Sequence, residues 1–138
     1  MRPYSPITVI FTAQAKKDLS AFKQAARSRK YEIMGVFTGK LNITKGLVTV
    51  TGIEYPEGIE EHRDHVSYPS DMFSRVKNAI GTIHSHPESE PGLSREDMIT
   101  QANDGDIIFG IFSWWKKKGR LHTSLDIYAG SPKCFIIK

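Results

Sequence analysis

Apolar and polar positions fall in short, separate blocks along the chain, and most blocks carry the period of one element type. Residues 7–11 are β-branched or aromatic and predict a first strand. Thr12 is suited to cap a helix reaching about Arg27, in which Ala15, Leu19, Phe22 and Ala26 recur on one face. Residues 33–38 and 47–53 predict two strands joined by the loop 39–46. Residues 55–68 are polar, with Pro56, Gly58 and five charges, and read as a surface loop. A second helix is predicted from residues 69–73, with Ser70 as cap, Phe73, Val76 and Ile80 facing inward and Gly81 as its end. Residues 82–86 form a short strand that stops at Pro87, and Ser94 opens a third helix. Residues 106–114 and 121–128 predict a closing hairpin, with 135–137 as an added edge strand. Strands and helices interleave without strict alternation. The expected class is α/β of the mixed α+β kind, a mixed sheet flanked by helices.

Composition narrows the setting. The 138 residues suit one compact domain, 1–138. Apolar residues make up 39% and charged residues 25%, ordinary values for a globular protein in water. No stretch approaches the roughly 20 apolar residues of a membrane-spanning helix. The first residues lack the apolar run of a secretory signal, so the expected location is cytoplasmic. Cys134 is the only cysteine, which excludes an internal disulfide and a zinc site built on several thiolates, and suits a reducing cytosol. The net charge of +4 is spread along the chain. Its one dense cluster, Lys116, Lys117 and Lys118 followed by Gly119 and Arg120, reads as a solvated hairpin tip, and no nucleic-acid partner is expected.

Candidate chemistry concentrates between His84 and Asp97. Side chains two apart on a strand share a face, so His84 and His86 can point at one centre. Pro87 breaks the strand, Gly92 lets the chain return, and Asp97 falls in the first turn of the helix opened by Ser94. Two imidazoles and a carboxylate, with a fourth position open to water, are the ligand set of a catalytic zinc rather than a structural one. Each part has a plainer explanation. Ser-x-x-Asp at a helix start is usually a capping arrangement, and His-x-His is often a surface coincidence. The combination is more specific than either part.

His84-x-His86, seven residues, then Ser94-x-x-Asp97 resembles the signature of the JAMM, or MPN-plus, metalloprotease family. That signature also includes an upstream glutamate ahead of a strand, and the stretch 31–39 is similar, with Glu32 in the family position and Gly35 and Gly39 in place. The resemblance spans most of the chain, from the first strand to about Tyr128. It implies the MPN/JAB-domain fold, a mixed curved sheet with helices, and one Zn2+ ion held by His84, His86 and Asp97. It further implies that Glu32 carries the proton of a zinc-activated water to the leaving amine, and that Ser94 steadies the oxyanion. Glu88 and Glu90 are rival proton carriers, a choice that the sequence leaves open. The implied activity is that of a metallo-isopeptidase or peptidase acting at the C-terminus of a ubiquitin-like protein, its substrate and partner. The compact chain looks more like free-standing archaeal, bacterial and phage members, with 55–68 in place of the first of two insertions found in eukaryotic relatives.

Other readings compete. His84, His86 and Glu90 imitate part of a cupin metal box, but the second cupin motif is missing and the helices suit that fold badly. A zinc deaminase needs a Cys-x-x-Cys that this chain lacks. A metal-free MPN scaffold is the strongest rival from another class, although it leaves a complete ligand set unexplained. A peptidase acting on a peptide unrelated to ubiquitin is another. His62 and His65, in the polar loop, are weaker candidates for substrate contact, and His122 reads as a strand residue.

Overall fold

A computed structural model describes residues 7–63, 65–89, 107–129 and 136–137. Strand β1 (Thr8–Phe11) leads directly into helix α1 (Ala13–Ser28). Thr12 caps the helix as expected, its hydroxyl accepting from the Ala15 N–H at 3.2 Å. Ala15, Phe22 and Ala26 are fully buried and Leu19 packs beside them, so the predicted stripe is the packed face. The helix stops because Arg29 is extended, at φ −125° and ψ 142°.

Strands β2 (Met34–Asn42) and β3 (Leu47–Glu54) run further than their hydrophobic pattern predicts. Ladder pairs Lys40↔Thr49, Leu41↔Val48 and Asn42↔Leu47 carry the end of β2 into solvent, while Val48 on β3 stays buried. The connection shrinks to four residues. The Asn42 side-chain oxygen accepts from the Lys45 N–H at 3.1 Å, and Gly46 supplies the left-handed φ of +59°.

The segment 55–68 is not a plain loop, because β4 (Glu60–Glu61) and β5 (Val66–Ser67) pair within it as a small antiparallel ribbon. The second predicted helix is also corrected. It is a single 3-10 turn at Phe73–Arg75 with no side-chain cap, so Ser70 does not cap it. The chain cannot continue as a helix because Asn78 sits at φ +61°, after which β6 (Ala79–Pro87) enters the sheet. The apolar residues still face inward. Val76 is buried with Met72 against Met34 and Val36, Phe73 packs on that cluster, and Ile80 joins the main core. Gly81 ends no helix. A Cβ there would stand 1.7 Å from the carbonyl oxygen of Ile108, so glycine permits close approach of the next strand.

That strand is β7 (Ile108–Lys117), followed by β8 (Arg120–Ala129) and β9 (Ile136–Ile137). Among the described residues the main sheet has seven strands, in the order β1-β3-β2-β6-β7-β8-β9. The β1–β3 and β6–β7 pairs are parallel and the rest antiparallel. Helix α1 covers one face, over Phe37, Val48, Val50, Ile83 and Phe112. The Trp114 indole donates to the Ala26 carbonyl at 3.0 Å and ties the last turn of the helix to β7. The β7–β8 turn has positive φ at both Lys118 and Gly119, which matches the right-handed twist of a tight hairpin, and the cationic tip is exposed as predicted. The third predicted helix, from Ser94, lies outside the described residues. Among the described residues no helix is long and apolar enough to cross a membrane.

Candidate metal centre

Alternation along β6 sends Ser85 to the helix-covered face and His84 and His86 to the other. The two Nε2 atoms are 3.1 Å apart, with ring centroids at 4.9 Å and planes inclined by 59°. Two nitrogens each about 2.0–2.1 Å from a tetrahedral zinc stand about 3.3 Å apart. The pair is therefore spaced to share one ion. Glu32 completes a group in which one ligand atom from each of Glu32, His84 and His86 lies within 4.8 Å of the others, all three residues half-buried. This donor set, two imidazoles and a carboxylate, fits a zinc-type cation.

The backbone around Glu32 brings it here. Met34 pairs with His84 in the β2–β6 ladder. One residue earlier, the Ile33 N–H donates to the Ser85 hydroxyl at 2.9 Å while the Ser85 N–H donates to the Ile33 carbonyl at 3.0 Å. The Glu32 N–H donates to the His62 carbonyl at 3.0 Å. Glu32 is thus held between the histidine strand on one side and the β4–β5 ribbon on the other.

Ser85 escaped the sequence reading, which singled out only its two neighbours. The available signal was a small polar residue at a strand position whose side chain must face the core. Ser85→Ala should leave the buried Ile33 N–H without its partner and lower unfolding free energy by about 1–3 kcal/mol. Denaturant unfolding measures this, and wild-type stability would show that the N–H finds another acceptor.

The remaining candidates separate clearly. Asp97 and Ser94, as well as Glu90, lie outside the described residues. Glu88 is exposed at φ +54°, 3.7 Å from Lys30 as an ion pair, and does not belong to the three-residue group. His62 and His65 stack face to face at 4.2 Å in the bend between β4 and β5, with the His62 ring 3.3 Å from the Ser67 hydroxyl. Their position is set by ribbon pairing, not by a helix, and it is the His62 backbone that touches Glu32. His122 is a strand residue stacked on Trp115 at 5.5 Å. Tyr55, whose ring stands over Gly35, has its phenol pushed up by burial and secondarily by the Asp18 carboxylate, so it stays protonated through neutral pH. A cleft of about 730 Å³ is lined by Ser28, Arg29, Lys30, Tyr31, Glu61 and Arg63, of which Tyr31 is the chain neighbour of Glu32.

Over residues 16–126 the sequence matches the family described as prokaryotic homologs of the JAB domain. Among solved structures, the solution structure of protein DSY2949 from Desulfitobacterium hafniense is similar in fold. Its TM-score is 0.61 at 16% identity, over 94% of this chain and 89% of that one. No curated protein matches the chain.

Proposed function

The chain belongs to the family of prokaryotic homologs of the JAB domain and has its mixed α/β fold, and from that premise we propose that it is a zinc-dependent metallo-isopeptidase. The observation that carries the reading is the 3.1 Å approach of the two histidine Nε2 atoms beside the Glu32 carboxylate. Asp97 is assigned as the third protein ligand and Ser94 as the oxyanion donor, both on the spacing of the sequence motif. The lone cysteine, Cys134, supports work in the reducing cytoplasm.

When bound, zinc supplies a Lewis acid and a water acidic enough to lose its proton near neutral pH. His84, His86 and Asp97 would hold the ion. The Glu32 carboxylate would take up a proton and pass it to the departing amine, a task that needs a carboxylate fixed within hydrogen-bond reach of both donor and acceptor. The His62 carbonyl and the Ile33–Ser85 hydrogen bonds fix its backbone for that task. Ser94 donates to the carbonyl oxygen as it gains charge.

The substrate is assigned as the C-terminal tail of a ubiquitin-like protein, joined by an amide or isopeptide bond. An extended tail can lie along a strand edge and read a groove with alternate side chains. The 730 Å³ cleft lined by Tyr31, and the ribbon segment whose His62 carbonyl bonds the Glu32 N–H, support such a path. A panel of C-terminally fused and lysine-linked ubiquitin-like substrates tests this with zinc-loaded protein and with His86→Ala. Cleavage by the first and none by the second is expected. If zinc-loaded protein leaves the whole panel intact, the substrate is wrong, and if it cuts only unrelated peptides, the protein is a peptidase of another specificity. Asp97→Ala should weaken zinc binding at least about tenfold in a chelator competition. Unchanged affinity there would remove Asp97 from the ligand set.

A further inference from the structure

The β7–β8 hairpin carries Lys116, Lys117, Lys118 and Arg120 at its tip, all exposed and without an ion-pair partner among the described residues. Three of these cations stand against local preference. Lys117 and Arg120 are ladder partners, and like charges directly opposite each other destabilise an antiparallel pair. Lys118 adopts φ +52° at a turn position that asparagine or glycine fills with less strain. Positive charge retained against both preferences points to a task for it.

Register shows what the tip faces. Ser113 pairs with His86 across the parallel β6–β7 ladder, so the two share the face turned away from α1. Alternation carries that face along β7 to Trp115 and Lys117, and across the hairpin to His122 and Arg120. The Trp115 and His122 rings stack with centroids 5.5 Å apart, as residues on one face can. β6 ends at Pro87, opposite Trp114, and the hairpin runs on beyond it. Lys117 lies four residues past the rung of His86, about 13 Å along the strand. An aromatic pair and then a cationic end therefore continue the histidine face past the metal centre.

Sheet order adds a direction. β6 lies between β2, which follows Glu32 in the chain, and β7. The substrate's tail is assigned to the β2 side, where Tyr31 and the ribbon stand, so the protein that carries the amine falls on the β7 side. We propose that the β7–β8 tip is the docking point for this amine-bearing half, and that this half presents an acidic stretch beside the joined amine. Lys117, Lys118 and Arg120 pair with its carboxylates, and the Trp115–His122 stack is the floor between them and the metal centre. This rests on the isopeptidase reading and adds the chemistry of its second partner. A short acidic stretch suits the tip better than a nucleic acid, because the other positions of β6, β7 and β8 on this face hold no lysine or arginine to follow a phosphate backbone.

Fluorescence anisotropy with the full chain tests this, using a labelled peptide in which glutamates flank a lysine and a matched peptide with serines instead. Wild-type protein should bind the acidic peptide at least about tenfold more tightly, and Lys117→Glu/Arg120→Glu should lose about that factor for the acidic peptide alone. Added salt should erode the difference. Lys118→Asn should unfold at a higher temperature than wild type, since the left-handed turn position suits asparagine, yet bind the acidic peptide about threefold more weakly. With the two peptides joined through their lysines to whichever ubiquitin-like protein is cut, wild type should prefer the acidic conjugate in kcat/KM and the double variant should not. Equal binding of both peptides by wild type, or wild-type affinity in both variants, overturns the docking surface and leaves the metal site standing. A single-stranded oligonucleotide that binds more tightly than the acidic peptide, and is released by the double variant, overturns the protein partner in favour of nucleic acid. A substrate panel left uncut overturns the isopeptidase reading, and the peptide measurement still decides what the tip binds.

Discussion

Glu32→Gln will keep its zinc and lose about 10²–10⁴-fold in turnover. The substitution is nearly isosteric, and the contacts that place residue 32 use none of its own side chain: its N–H to the His62 carbonyl and the adjoining Ile33–Ser85 bonds. Fold and position should therefore survive. What disappears is a carboxylate able to take a proton, because an amide at that place is neutral and a poor base. Metal analysis beside initial rates makes the measurement. The opposite outcome is physically meaningful, since the Glu32 carboxylate lies in the same 4.8 Å group as the histidine nitrogens. If zinc and turnover fall together, Glu32 is a ligand and the proton carrier is another residue.

Gly81→Ala will unfold much of the protein, with a loss of at least about 3 kcal/mol and a drop in Tm of roughly 10 °C. The added Cβ would stand 1.7 Å from the Ile108 oxygen and 2.8 Å from its carbonyl carbon. Both atoms are backbone, so no side-chain rotation relieves the overlap. β6 and β7 must part at the first pair of their ladder, Gly81↔Ile108. The same strand carries His84 and His86 a few residues on, so zinc affinity should fall with stability. Thermal unfolding decides, and a wild-type Tm would mean that this register is wrong.

Hydrophobic pattern and fold part company in two segments. Residues 69–81 have inward-facing apolar residues compatible with a helix, and Met72, Val76 and Ile80 are indeed buried. Burial alone does not choose a conformation. Asn78 adopts φ +61° and residues from Ala79 onward find ladder partners on β2 and β7, and those hydrogen bonds outweigh a marginal helical propensity. The β4–β5 ribbon was illegible for a different reason. Two residues per strand are too few to show alternation, and its pairing brings His62 to Glu32 from thirty positions along the chain.

Local chemistry written in the sequence determined α1 with its Thr12 cap, the strands on either side of it, the tight cationic hairpin and the shared face of His84 and His86. Those features depend on periods and turn residues within a few positions of one another. Only the tertiary structure decided that Glu32 meets the histidines, that Ser85 locks it there and that Ser113 lies beside His86. Each of these is a cross-strand relation between distant segments, settled by which strands pair and in what register, and a one-residue slip would turn the same side chains to the opposite face.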